Sequence, residues 1–172
     1  MFDGLDDQQL VALLTRPAAV GEEHEVLWQM VGRWSISGVW WPTPNRELPV
    51  DGQLESRQLY DGLFVESVFH HGLGEGTRSW FGYDNTREVY FCVSLNSTRP
   101  HPDVLQGVYT TESRTLVLSM DEHNQHTGEC IRVVQRFHFV DQDTMTMSLS
   151  YPDLAELGSF GMSLVFERSN AA

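Results

Sequence analysis

The chain has 172 residues, 11 arginines, 24 acidic residues and no lysine, for a net charge of −13 with its seven histidines neutral. That length suits one domain, and a hydrophobic content of 41% supplies an ample core. An acidic chain without lysine is a poor binder of polyanions, because phosphate recognition needs clustered Arg and Lys. Nucleic acid and anionic membrane surfaces are therefore excluded as expected partners.

The acidic start, MFDGLDDQQLVALLTRPAAV, carries neither a positive leader nor a long apolar run, so it does not read as a secretory signal. No run of about eighteen apolar residues occurs anywhere, and no membrane-spanning helix is expected. A cytoplasmic protein is the expectation, with Cys92 and Cys130 as two small buried hydrophobes rather than a disulfide. A first short helix is predicted over about 5–15. Asp6 or Asp7 caps it, Leu10, Leu13 and Leu14 lie at helical spacing, and Pro17 stops it. Residues 1–20 form an N-terminal extension, and 21–172 a single domain. A second helix is predicted from Glu22 to Val31, where His24, Leu27, Trp28 and Val31 share one face and glutamates crowd the first turn. Gly32 ends it.

Beyond Gly32, segments rich in β-branched and aromatic residues alternate with turn signals at short, regular spacing. Ten strands are predicted, at about 33–41, 51–60, 63–71, 76–83, 87–95, 104–111, 114–120, 128–140, 143–151 and 159–168. Pro42, Pro44 and Pro49 end the first strand. Asp61-Gly62, Asp84-Asn85 and Asp141-Gln142-Asp143 make tight turns, and Pro100 and Pro102 mark a longer connection. Only 152–158 could hold even a short crossover helix, so the sheet is expected to be antiparallel and up-and-down. Ten such strands hide their edges by closing into a barrel. The fold class is thus all-β: a ten-stranded up-and-down barrel with one or two short N-terminal helices.

Gly32-Arg33-Trp34, opening the first strand after a short helix, resembles the start of the calycin barrels, which include lipocalins and fatty-acid-binding proteins. That resemblance implies a Trp34 packed at the closed end of the barrel with Arg168, from Phe166-Glu167-Arg168, lying across it. An indole–guanidinium contact is worth about 0.5–2 kcal/mol. More narrowly, the chain resembles the bacterial domain-of-unknown-function family 1579. The matching pieces are HEVLWQMVGRW from His24 to Trp34, Asp61-Gly62-Leu63-Phe64, Gly82-Tyr83-Asp84-Asn85, Gly107-Val108-Tyr109 and the terminal Phe166-Glu167-Arg168. In that family the strand after the GYDN turn usually carries a Trp and an Asp, where this chain has Ser94 and Asn96. The resemblance implies a fold and a cavity, not a reaction.

A ten-stranded barrel is wide enough to hold a ligand. Alternation puts Trp34, Ile36, Gly38 and Trp40 on one face, and Tyr90, Cys92, Ser94 and Asn96 on another. Trp40, Tyr60, Trp80, Tyr90, Ser94, Asn96 and Tyr109 are the candidate ligand contacts, since aromatic walls hold flat apolar molecules. Glu66, Val68 and His70 share a face, so a carboxylate and an imidazole could pass a proton to and from a substrate; equally, they could be solvated polar residues. His138, among Arg136, Phe137 and Phe139, reads as a general acid/base, a haem ligand or a half-buried histidine bonded to a neighbour. His123 and His126 form an H-x-x-H in a polar hairpin tip that reads as a solvated loop, so no metal is expected. Gly72-Leu73-Gly74-Glu75-Gly76 precedes no helix and is not a phosphate loop. The expected function is binding of a small hydrophobic or amphipathic molecule in the barrel, without a cofactor and with a homodimer possible. The alternatives are a cofactor-independent isomerase or cyclase acting on a polyene or polyketide-like substrate, and a haem-binding barrel.

Overall fold

The computed structural model describes residues 4, 6–14, 18–71, 76–123, 128–158 and 160–169. Two short helices, α1 (Asp7–Leu14) and α2 (Glu22–Trp28), precede ten strands: β1 (Gly32–Thr43), β2 (Arg46–Leu59), β3 (Phe64–His71), β4 (Thr77–Asp84), β5 (Val89–Asn96), β6 (Asp103–Thr110), β7 (Thr115–His123), β8 (Cys130–Phe139), β9 (Thr144–Ser150) and β10 (Gly161–Arg168). Short 3₁₀ segments cover Tyr60–Gly62 and Pro152–Leu157. Each strand pairs antiparallel with its neighbour in sequence, and β10 pairs with β1 to close the barrel. No helix among the described residues is long and apolar enough to cross a membrane.

Alternation builds the core. Trp34 and Ile36 of β1, Val50 and Leu54 of β2, Phe81 of β4, Leu116 and Leu118 of β7, and Leu164 and Phe166 of β10 point inward and are buried. Polar residues alternate with them on the outer face. The first two strands run longer than predicted. Pro42 and Pro49 do not break them; both lie inside strands, with Pro49 opposite Val39. The reason is the edge. Pairing of β2 with β3 begins only at Gly52, so Pro49 lacks a β3 partner that would need its missing N–H. The start of β2 therefore runs past the end of β3, while Trp40 and Trp41 of β1 stay paired with Met162 and Gly161 of β10.

The closed end is fastened by hydrogen bonds. The Arg168 guanidinium stands 4.1 Å over the Trp34 ring, and Trp34 is paired directly with Arg168 across β1 and β10. Arg168 Nη1 donates to the Val31 carbonyl at 2.8 Å and Nε to the Gln142 carbonyl at 2.9 Å. Trp34 Nε1 donates to the Met30 carbonyl at 2.9 Å. Gly32 has φ of +135°, and a Cβ there would collide with the Arg168 guanidinium, so glycine is required on both counts. Helix α2 covers this end: Trp28 Nε1 donates to the Gly62 carbonyl at 3.0 Å. His24 is buried, its Nδ1 accepting the Gly21 N–H at 3.1 Å to cap the helix.

Candidate ligand cavity

Above that floor the barrel is hollow. A cavity of about 400 Å³ opens toward the end opposite α2, a size ordinary for a small-molecule site. Its deep part is apolar: Met30, Leu54, Phe81, Leu105, Val133, Phe137, Met147, Leu164 and Phe166 line it. On one side a row of serines climbs from the closed end, where Ser56 pairs with Gly32, toward the mouth, and Ser67, Ser79 and Ser94 of that row line the cavity. Ser56, Ser67, Ser79 and Ser94 stand side by side in register on β2, β3, β4 and β5, and Ser94 pairs with Asp103 of β6. The hydroxyls couple in twos, Ser56 with Ser67 and Ser79 with Ser94, each at 2.7 Å. Cys92 lies below the belt with Sγ 3.4 Å from the Ser94 hydroxyl; burial pushes its thiol up to about 12, so it stays protonated.

At the mouth sits an ionic group. Arg99, on the β5–β6 connection, reaches Asp103 at 3.1 Å and Glu122 of β7 at 2.9 Å, both through Nη1. Tyr151 lines the same mouth, and burial raises its phenol above the ordinary value, keeping it neutral. A vestibule also of about 400 Å³ adjoins the cavity, lined by Trp40, Trp41, Pro42, Ile131, Leu154 and Phe160. Trp40, Thr98, Arg99, Glu122 and Tyr151 line both spaces, so the ionic group stands where they join.

The sequence-predicted residues divide by face. Trp40, Ser94 and Asn96 line the cavity, with Asn96 Nδ2 donating to Thr77 Oγ1 at 3.0 Å. Tyr90 points inward but is buried in the floor, its ring 4.8 Å from Tyr83 and 6.5 Å from Tyr109. Tyr109 stacks on against Phe139 at 6.3 Å. Neither lines the cavity. Tyr60 is 75% exposed in the 3₁₀ turn at the closed end, and Trp80, paired with Glu66, faces outward.

None of the three predicted acid/base residues lines the cavity. Ser67, Phe69 and His71 are the β3 residues that line the cavity, which puts Glu66 and His70 on the outer wall. Glu66 is nonetheless buried, beneath two arginines: Arg57 Nε donates to Oε2 at 2.8 Å, and Arg78 Nη1 lies 3.3 Å from Oε1. His70 is exposed. His138 also faces out and is exposed, its Nδ1 at 2.8 Å from the Ser113 carbonyl; it lines neither the cavity nor the vestibule described above. Cys130 is exposed rather than buried, and both cysteines are free. Gly72–Glu75 and His126 lie outside the described residues.

Sequence reasoning missed Arg99, Asp103, Glu122, Tyr151 and the serine belt. Each serine is unremarkable alone, and only register makes them one belt. A signal was available for Glu122: it is two residues from inward Met120 on a strand whose Leu116 and Leu118 also face in.

The sequence matches the family described as "Protein of unknown function (DUF1579)" over residues 19–160. No curated protein matches it. Among solved structures, it is similar to Rv2717c from M. tuberculosis, with a TM-score of 0.62, 12% identity, and coverage of 88% of this chain and 100% of that one. It is also similar to the S-type phycobiliprotein lyase CPES from Guillardia theta, with a TM-score of 0.55, 11% identity, and coverage of 87% and 94%. At these identities the likeness is one of fold.

Proposed function

The chain belongs to the DUF1579 family, whose description assigns no activity, and from that premise we propose that the barrel binds a small hydrophobic or amphipathic molecule. One observation carries this reading: the interior is not filled by its own side chains but leaves about 400 Å³ with an apolar bottom and a polar mouth. Apolar lining contributes roughly 25 cal/mol per Å² of ligand surface removed from water. The polar groups above it orient what enters. The barrel fold shared with a phycobiliprotein lyase is consistent with this reading. Catalysis by Glu66, His70 or His138 gains no support, since none reaches the cavity.

Titration with the neutral fluorophore N-phenyl-1-naphthylamine tests the proposal. Saturable enhancement at one site per chain is expected. Leu105→Trp, which places an indole in the apolar bottom, should weaken binding at least tenfold while the thermal transition persists. No saturable enhancement, or equal binding by the filled variant, would overturn it.

A further inference from the structure

We propose that the cavity selects ligands whose polar end donates hydrogen bonds or carries positive charge, an aliphatic alcohol or amine rather than a carboxylate. The inference rests on the cavity being a binding site, and its starting point is a charge count. Among the described residues lining the cavity, the one arginine, Arg99, is shared by two carboxylates, Asp103 and Glu122. The trio is net negative. Both contacts fall on Arg99 Nη1, and an entering carboxylate would bring a third negative charge to this one cation.

The acceptors, by contrast, are in surplus. Among the described residues Glu122 Oε2 has no hydrogen-bond partner; that oxygen is itself buried, but the side chain that carries it is 22% exposed and lines both the cavity and the vestibule. A buried acceptor without a donor is costly, and a ligand N–H or O–H would relieve that cost. The serine belt leads to the same place, since Ser94 stands opposite Asp103. The protein's net charge of −13 adds a long-range bias of the same sign.

The geometry also assigns the ligand's orientation. Apolar side chains line the cavity below the trio and Trp40, Trp41, Ile131 and Leu154 line the vestibule beyond it. A chain would lie with its tail on the barrel floor and its donor at the Glu122 level.

Displacement of bound N-phenyl-1-naphthylamine by dodecylamine, dodecanol and dodecanoate, matched in chain length and kept below micelle formation, tests this. The amine and the alcohol should each compete at least tenfold better than the carboxylate. Glu122→Gln should narrow the amine-to-carboxylate gap at least fivefold. Glu112→Gln, an exposed acid at the other end of the barrel, should leave the gap unchanged and so separates the local site from the protein's overall charge. Dodecanoate binding as tightly as dodecanol, or a gap that Glu122→Gln does not move, overturns this inference while leaving the cavity reading intact. Failure of the fluorophore itself to bind overturns both.

Discussion

The two ends of the barrel each use an arginine, and they use it differently. At the floor, Arg168 lies over Trp34 and donates to the Val31 and Gln142 carbonyls, each bond fixing one more piece of chain. At the mouth, Arg99 is divided between Asp103 and Glu122, with one carboxylate oxygen left over. The floor is satisfied internally and belongs to the folded state. The mouth keeps one acceptor without a partner among the described residues, the group proposed above to meet a ligand's donor. Polar groups stabilise a fold when their partners are all present, and confer selectivity when one is missing.

The largest effect expected to sharpen this contrast is at the floor. Trp34→Ala should cost about 3–5 kcal/mol, from lost burial and the cavity it leaves, read as a lower midpoint in urea unfolding. Gly32→Ala should follow at about 1–3 kcal/mol, since the backbone there sits in a region disfavoured for a side chain and the new methyl collides with Arg168. Arg99→Met at the mouth should change stability by only about 1–2 kcal/mol yet widen the preference for dodecylamine over dodecanoate in probe displacement. An Arg99 variant that melts as early as the Trp34 variant would break the contrast.

Two smaller effects lie off this axis. Glu66→Gln should cost about 1 kcal/mol or less, because both its arginine partners are largely exposed and screened. Probe affinity should stay within about twofold, since the residue faces away from the cavity; a larger change would return it to the site. Below these comes a pH effect at the closed end. The Asp143 N–H donates to Asp141 Oδ1 at 2.8 Å and holds the Asp141 carboxyl below the usual range. A lowered folded-state pKa contributes stability that is present above the unfolded value, about 3.9, and lost as pH falls through the folded value. Asp141→Asn should therefore flatten the acid limb of thermal stability below about pH 4.

Parity explains why the fold was more legible than the site. The strand count, the closure and the clamp of Trp34 by Arg168 follow from alternation, turn residues and the Gly32-Arg33-Trp34 resemblance, and all stand in the structure. On β5 the inward set of Tyr90, Cys92, Ser94 and Asn96 was also readable. On β3 it was not. Val65, Glu66 and Ser67 are all buried in succession, because two arginines cover the outer wall at Glu66, so no alternation of burial separates inside from outside. A shift of one residue moves every side chain of a strand to the other face.

By itself, then, the sequence determined the elements, their antiparallel order and the residues of the floor, because these depend on local periodicity, turn chemistry and one short motif. Only the tertiary structure decided which face of each strand is inside, that four serines on separate strands form one belt, and that Arg99, Asp103, Glu122 and Tyr151 meet at the mouth. Those outcomes depend on register between strands distant in the chain, a quantity that no local pattern encodes.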